Sequence, residues 1–314
     1  YFAFHPVHTE NVVYLVGRAD MMATTFMVLA IRAYFRWNGS VIGFLGLCFL
    51  TCLAGLSKET GFTVIVHLGA MALLGRSIRV PRYIARGAML IVAFFVIVGI
   101  RSWYVGGTAV GFSYVDTPIR YQNSTLTRGL SYAHQHSYYA QIMVFPWNLS
   151  WDYSYDVLPL LTTFADLRIL AILVAYKTTF ILCFRAALQD RSQVQCSNFA
   201  VMAGMALVLI PWVVFSNVFF LVGTTIGERL LYPSTVGWTL VLAGLGSRFT
   251  KARRPLYHGF LLVVILIFAY RTHMRVGQWE TRQTLFIADA QHWHRYVPFL
   301  VFCLVFYVFP ILTS

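Results

Sequence analysis

Val41-Ile42-Gly43-Phe44-Leu45-Gly46-Leu47-Cys48-Phe49-Leu50-Thr51-Cys52-Leu53-Ala54-Gly55-Leu56-Ser57 runs for 17 residues without a charge, meets Lys58-Glu59, and gives way to a second apolar run from Gly61. A bilayer core takes about 20 apolar residues as a helix, and a soluble surface would interrupt such a run with polar side chains. The pattern recurs along the chain. Of 314 residues, 59% are hydrophobic and 17% aromatic, only 11% are charged, and the mean hydropathy is +0.68. These values exclude an ordinary soluble domain and predict an all-α, polytopic membrane protein.

Spanning helices are expected at about 20–36, 41–57, 61–75, 86–103, 166–184, 198–217, 233–247 and 257–271. Tyr1-Phe2-Ala3-Phe4 reads as the tail of a membrane helix that begins upstream. A net charge of +13 would suggest nucleic acid in a soluble protein. Here the basic residues cluster between apolar runs, so the charge reads as topology and no nucleic-acid partner is expected. Arg32 and Arg36, then Arg76, Arg79, Arg82 and Arg86, then Arg185 and Arg191, then Arg248, Lys251, Arg253 and Arg254 fall in alternate connections. By the positive-inside rule those connections are cytosolic.

The opposite connections are then luminal, and they hold the chemistry. His5-Pro6-Val7-His8-Thr9-Glu10 precedes Gly17-Arg18-Ala19-Asp20; Lys58-Glu59 separates two spans; Gly227-Glu228-Arg229-Leu230-Leu231-Tyr232 leads into a third. Two imidazoles and a carboxylate can orient a hydroxyl, move a proton or hold a metal, and equally can cap a tight turn. Arg18 suits a phosphate, which its planar fork binds bidentately, or a contact with Asp20. An ion pair within the turn would account for Lys58 and Glu59. Three acid-plus-base pairs on one side of the membrane point to a site that handles an anionic group.

Trp147, Trp151, Asp152, Tyr153, Tyr155 and Asp156 combine ring faces with carboxylates, as sugar sites and interfacial belts both do. The Leu126–Phe145 stretch contains Arg128, His134, Gln135, His136 and Gln141, and is expected to form an interfacial or partly buried helix anchored by Tyr132, Tyr138 and Tyr139. Sequons at Asn123-Ser124-Thr125 and Asn148-Leu149-Ser150 fall on the luminal side, while Asn38-Gly39-Ser40 falls on the cytosolic side. Cys48, Cys52, Cys183, Cys196 and Cys303 lie in or beside apolar segments, which disfavours disulfides and zinc.

In order and spacing, His5–Glu10 with Gly17–Asp20, Ser57-Lys58-Glu59-Thr60-Gly61, and Ser216-Asn217-Val218-Phe219-Phe220 running to Glu228–Tyr232 resemble one family. It is the transmembrane and tetratricopeptide-repeat-containing proteins, endoplasmic reticulum O-mannosyltransferases of the GT-C class that modify cadherin-type domains. The resemblance implies a GT-C helix bundle over 1–271, a luminal lead-in to a repeat array over 272–296, and an apolar tail of unassigned status over 297–314. It implies dolichyl-phosphate mannose as the polyprenyl-phosphate sugar donor, a luminal acceptor protein whose Ser or Thr hydroxyls receive mannose, and surrounding membrane lipids; a divalent metal is left open.

In that frame Glu10 and His8 are the catalytic candidates, with the family's principal acid expected upstream of residue 1. Arg18, Lys58, Glu59, Asp152, Glu228 and Arg229 are the candidates for binding substrate. The 314-residue chain alone is expected to be inactive. Two other classes fit the composition: a secondary transporter, which would place its charges nearer the bilayer midplane, and a non-catalytic membrane scaffold.

Overall fold

A computed structural model describes residues 1–37, 40–74, 95–96, 98–99, 102–103, 111–154, 157–188, 196–219, 222–249 and 252–292. The described secondary structure is helical, with no strand among these residues. Short α1 (His8–Val13) leads through a 3₁₀ turn, Leu15–Gly17, into α2 (Arg18–Arg36). Then come α3 (Val41–Ser57), a 3₁₀ turn at Glu59–Phe62, α4 (Thr63–Leu74) and α5 (Thr125–Val144). Next are α6 (Arg168–Leu188), α7 (Cys196–Phe215), the 3₁₀ turn Glu228–Leu231 and α8 (Tyr232–Gly246). Helices α9 (Arg254–Gln278) and α10 (Arg282–His292) follow.

The expected helices at 20–36, 41–57 and 61–75 correspond to α2, α3 and α4, and those at 166–184, 198–217 and 233–247 to α6, α7 and α8. Most of the span expected at 86–103, the Arg76–Arg86 cluster, Arg191, Lys251, Tyr155, Asp156, Phe220 and the tail from 297 lie outside the described residues. Two described helices, Ser197–Phe215 and Arg254–Gln278, are long and apolar enough to cross a membrane, and Val41–Ser57 is a shorter apolar helix. The other described spans are helical but shorter or more charged.

Two expectations need correction. Helix α9 does not stop near 271 but runs to Gln278, because Arg271 and Arg275 are accommodated in it by contacts with the Trp147 and Leu149 carbonyls, and exposed His273 is tolerated in a helix. Tyr139 is no interface anchor: its ring is 2% exposed and its hydroxyl accepts from the Gly227 backbone N–H at 2.9 Å. Half-buried Tyr138 donates inward to the Asn148 carbonyl at 3.1 Å. A buried phenol needs a partner, and both find one in the loops above α5.

One core joins α5, α7 and α8 through Tyr139, Ile142, Val201, Met205, Phe215 and Val241, with Leu149, Tyr153, Leu158, Ile226 and Leu230 packed against it. A second joins α2, α3 and α4 through Met27, Ala30, Leu47, Ala54, Val64 and Leu68. Helices α7 and α8 touch backbone to backbone at Gly204 and Gly237, where a Cβ on either would come within 2.5 Å of the other's carbonyl oxygen. Small residues permit such close crossings where lipid supplies no hydrophobic drive between helices. Outward faces carry large apolar side chains: Leu45 and Phe49 on α3, Leu173 and Phe180 on α6, Leu262 and Leu266 on α9. Bands of this kind suit lipid contact.

Candidate functional site

The charged motifs meet at one end of the helices. Pro6 and the preceding 3₁₀ turn Phe2–Phe4 reverse the chain into α1, and Gly17 lets α1 fold back on the start of α2. A Cβ at Gly17 would stand 2.6 Å from the Asn11 Cα and 2.9 Å from the Glu10 carbonyl oxygen, so the approach requires glycine. Buried Asn11 locks this fold, donating Nδ2 to the Gly17 carbonyl at 3.4 Å and to the Arg229 carbonyl at 3.1 Å.

Glu10 is thereby set against the turn that begins α8. Its Oε2 accepts from the Arg229 backbone N–H at 3.0 Å, and its Oε1 meets the Arg229 guanidinium at 3.3 Å. A carboxylate suits the exposed N–H groups of a helix start. Burial nevertheless raises the Glu10 pKa above the usual carboxylate value, with Arg229 opposing the shift. The Arg229 side chain remains 27% exposed and lies 5.9 Å from the Tyr14 ring centre.

The pairings cross between motifs. Asp20, with a fully buried carboxylate, is met by the Lys58 ammonium from the end of α3, and one of its oxygens has no hydrogen-bond partner. Asp20 is therefore paired with Lys58 and not with Arg18, which is exposed and makes no ion pair among the described residues. Glu59 is exposed. Glu228 and Arg229 are likewise partnered with Arg275 and Glu10, since adjacent residues in a helical turn point apart.

Glu228 lies inside a sealed network. Its Oε1 accepts from the Ser150 N–H at 2.6 Å and the Tyr153 hydroxyl at 2.8 Å, while Oε2 lies 3.4 Å from the Arg275 guanidinium. Arg275, 2% exposed, also donates to the Leu149 carbonyl at 3.0 Å and Gln278 Oε1 at 3.1 Å, and stands 3.9 Å from Asp289 on α10. Asp289 in turn accepts from the Ser150 hydroxyl at 2.7 Å and the Trp151 N–H at 3.1 Å. Burial outweighs Arg275 and pushes the Glu228 pKa up to about 8. A carboxyl so enclosed ties the turn that carries Arg229 to the 150–153 loop and α9.

Both histidines have hydrogen-bond partners in this arrangement. His5 Nε2 donates to the Met143 carbonyl at 2.8 Å, and burial lowers its pKa to about 4. His8 lies 2.8 Å from Thr235 Oγ1, whose own hydrogen goes to the Tyr232 carbonyl, so His8 Nε2 is the donor. Burial and neighbouring His5 hold His8 well below its ordinary value, which keeps the ring neutral. No group of three or more His, Cys, Asp or Glu placed to hold a metal ion occurs among the described residues, and Cys48, Cys52 and Cys183 are free thiols. Asp152 stands apart from the ion pairs, accepting from the Ser154 N–H at 3.0 Å and hydroxyl at 2.6 Å in a local turn.

Arg275, Asp289, Ser150, Tyr153 and Asn11 escape a reading of motifs. One signal was present: Arg271 and Arg275 lie one helical turn apart beyond an apolar run, on a shared face. Arg271 donates to the Trp147 carbonyl and lies 4.6 Å from that indole, so both arginines grip the 147–151 loop.

The family model described as Protein O-mannosyl-transferase TMTC, DUF1736 matches residues 106–180, which include α5 and the Ser150–Tyr153 loop. The chain is 30% identical over 321 residues to the protein O-mannosyl-transferase TMTC4 of Mus musculus, covering 91% of this chain and 43% of that protein. It is 29% identical over 322 residues to TMTC4 of Homo sapiens, with the same coverage. To the protein O-mannosyl-transferase F38B6.6 of Caenorhabditis elegans it is 30% identical over 288 residues, 91% of this chain and 39% of that protein. The chain thus spans about two-fifths of the length of these relatives. No solved structure matches it.

Proposed function

We propose that this chain, which belongs to the TMTC family of protein O-mannosyl-transferases, is part of an endoplasmic reticulum membrane enzyme with a polytopic, GT-C-like helix bundle. Its reaction is transfer of mannose from dolichyl-phosphate mannose to Ser or Thr hydroxyls of luminal protein domains of the cadherin type. In an inverting displacement the acceptor oxygen attacks the anomeric carbon, the bond to phosphate breaks, and a carboxylate takes the acceptor proton. Cations stabilise the departing dolichyl phosphate.

The observation that carries this reading is the meeting of Glu10 and Arg229, 219 positions apart, beside a second crossed pair, Asp20 and Lys58. Four charged segments converge where the helices end, and three of their cations, Arg18, Lys58 and Arg229, keep some or much of their side chains open. Arg18 and Arg229 are the phosphate ligands in this reading, with Lys58 beside them. Glu10 lies on the acceptor side. A phosphate that draws Arg229 toward itself weakens the cation opposing Glu10 and makes that carboxylate more basic as the donor binds.

The test is mannose transfer from dolichyl-phosphate mannose to a cadherin-type acceptor domain by the full-length protein. Wild type is compared with Glu10→Gln and Arg18→Ala at matched folded levels. Loss of transfer at unchanged thermal stability is the expected result; wild-type rates in both variants refute the assignment. The complete burial of Glu228, His5 and Asp20 favours a second reading, a scaffold whose ion pairs only hold helices together. On that reading Glu10→Gln lowers stability and leaves transfer intact.

A further inference from the structure

We infer that Asn123 is the asparagine of this chain that carries an N-linked glycan, and that the neighbouring sequon at Asn148 stays unmodified in the folded protein. The inference rests on the luminal placement of both sequons that the alternation of basic connections predicts, as the proposed function requires. N-glycosylation joins the asparagine Nδ2 to the first sugar of a lipid-diphosphate oligosaccharide. The new C–N bond replaces the sugar–phosphate bond, the lipid diphosphate leaves, and the amide proton passes to a base of the host transferase. The reaction requires a hydroxyl residue two positions on, and the product requires room for a large hydrated group.

The fold treats the two sequons oppositely. Asn123, Ser124 and Thr125 are all exposed, and they lie at the start of α5, where Ser124 Oγ accepts from the Thr127 N–H at 3.2 Å. Neighbouring Tyr121 and Leu126 are 48% and 47% exposed, so an oligosaccharide on Asn123 projects into solvent without disturbing a described core contact.

At the second sequon Leu149 and Ser150 are 4% and 7% exposed. Three backbone groups of this sequon are committed: the Asn148 carbonyl accepts from Tyr138, the Leu149 carbonyl accepts from Arg275, and the Ser150 N–H donates to Glu228. The sequon hydroxyl itself, Ser150 Oγ, lies 2.7 Å from Asp289. Glycosylation takes place on nascent chain, before these contacts form. A glycan added at Asn148 then wedges the 147–151 loop away from Arg275 and Asp289, and such molecules do not assemble the buried network. The folded population is therefore free of it.

The experiment expresses the full-length protein in cells with an endoplasmic reticulum and maps occupied asparagines by peptide mass spectrometry after enzymatic deglycosylation. Wild type, Asn123→Gln, Thr125→Ala and Asn148→Gln are compared, with Gly111→Asn as a control. That substitution creates a sequon with Ser113 at an exposed position where an added Cβ meets nothing within 4 Å. One glycan is expected, lost in Asn123→Gln and in Thr125→Ala and retained in Asn148→Gln. A glycan on Asn148 in monodisperse folded protein overturns the inference. So does an occupied control sequon beside an unoccupied Asn123, which leaves the luminal placement standing. If neither is occupied, the luminal placement fails and takes the inference with it.

Discussion

Replacing Arg275 by methionine removes a cation shared by Glu228 and Asp289 while keeping the stem that fills its place. The guanidinium is buried, and with it go the 3.0 Å bond to the Leu149 carbonyl and the 3.4 Å pairing with a carboxylate of zero side-chain exposure. Breaking a buried ion pair from one side costs about 3–5 kcal/mol, because the remaining charge stays desolvated. The unmet carbonyl adds about 1 kcal/mol. Glu228 can relieve part of this by taking up a proton, which its raised pKa already favours, so the loss is smaller at pH 6 than at pH 9.

The net expectation at pH 9, where Glu228 is ionised, is about 3 kcal/mol, a fall in Tm of about 4–5 °C for a chain of this size. Thermal unfolding in detergent, followed by fluorescence-detected size exclusion, reads it. Adding Glu228→Gln to Arg275→Met removes the stranded charge and should recover a measurable part of the loss, a coupling of about 1–3 kcal/mol. An unchanged Tm in the single variant, or a double variant no more stable than the single, refutes the network as a stabilising unit.

Glu228 also sets a pH dependence. A carboxyl whose folded pKa lies near 8 against 4.5 for the free group takes up a proton on folding, so its contribution is complete below 4.5 and lost as pH rises through 8. Glu10 shifts in the same direction. Tm should therefore fall from pH 5 to pH 9, with the slope reduced in Glu228→Gln; an identical slope in that variant removes Glu228 as its source. Lys58→Met strands the buried Asp20 carboxylate and should cost about 3 kcal/mol, most of it recovered by adding Asp20→Asn, as unfolding midpoints of the two variants will show. Gly237→Val forces α8 away from the Gly204 carbonyl and should cost about 1–3 kcal/mol or more, whereas Gly129→Ala, with nothing within 4 Å, should be neutral in the same assay.

Much of the helical layout was legible without coordinates. Helix α3 spans Val41–Ser57, as its uncharged run indicates, and α8 begins at Tyr232, one residue before the expected start. Long apolar runs bounded by charges leave few alternatives. The sequence predicts a shorter α9 because Arg271 and Arg275 look like a basic flank when the chain is taken one residue at a time. The amphipathic side chain of Tyr139 suits an interface, and nothing local reveals that Gly227, 88 positions on, supplies its partner.

The sequence by itself determined the helical character, the membrane-like composition and which residues carry charge at the helix ends, since these follow from hydropathy and spacing. Tertiary structure alone decided how the charges pair. Asp20 with Lys58, Glu10 with Arg229 and Glu228 with Arg275 are separated by 38, 219 and 47 positions, and each partner comes from a different element. A buried charge selects its partner by which cation the packed helices bring within a few ångströms, and that distance is a property of the assembled bundle. The same packing decided that Ser150, a plain sequon hydroxyl in the chain, is enclosed between Glu228 and Asp289.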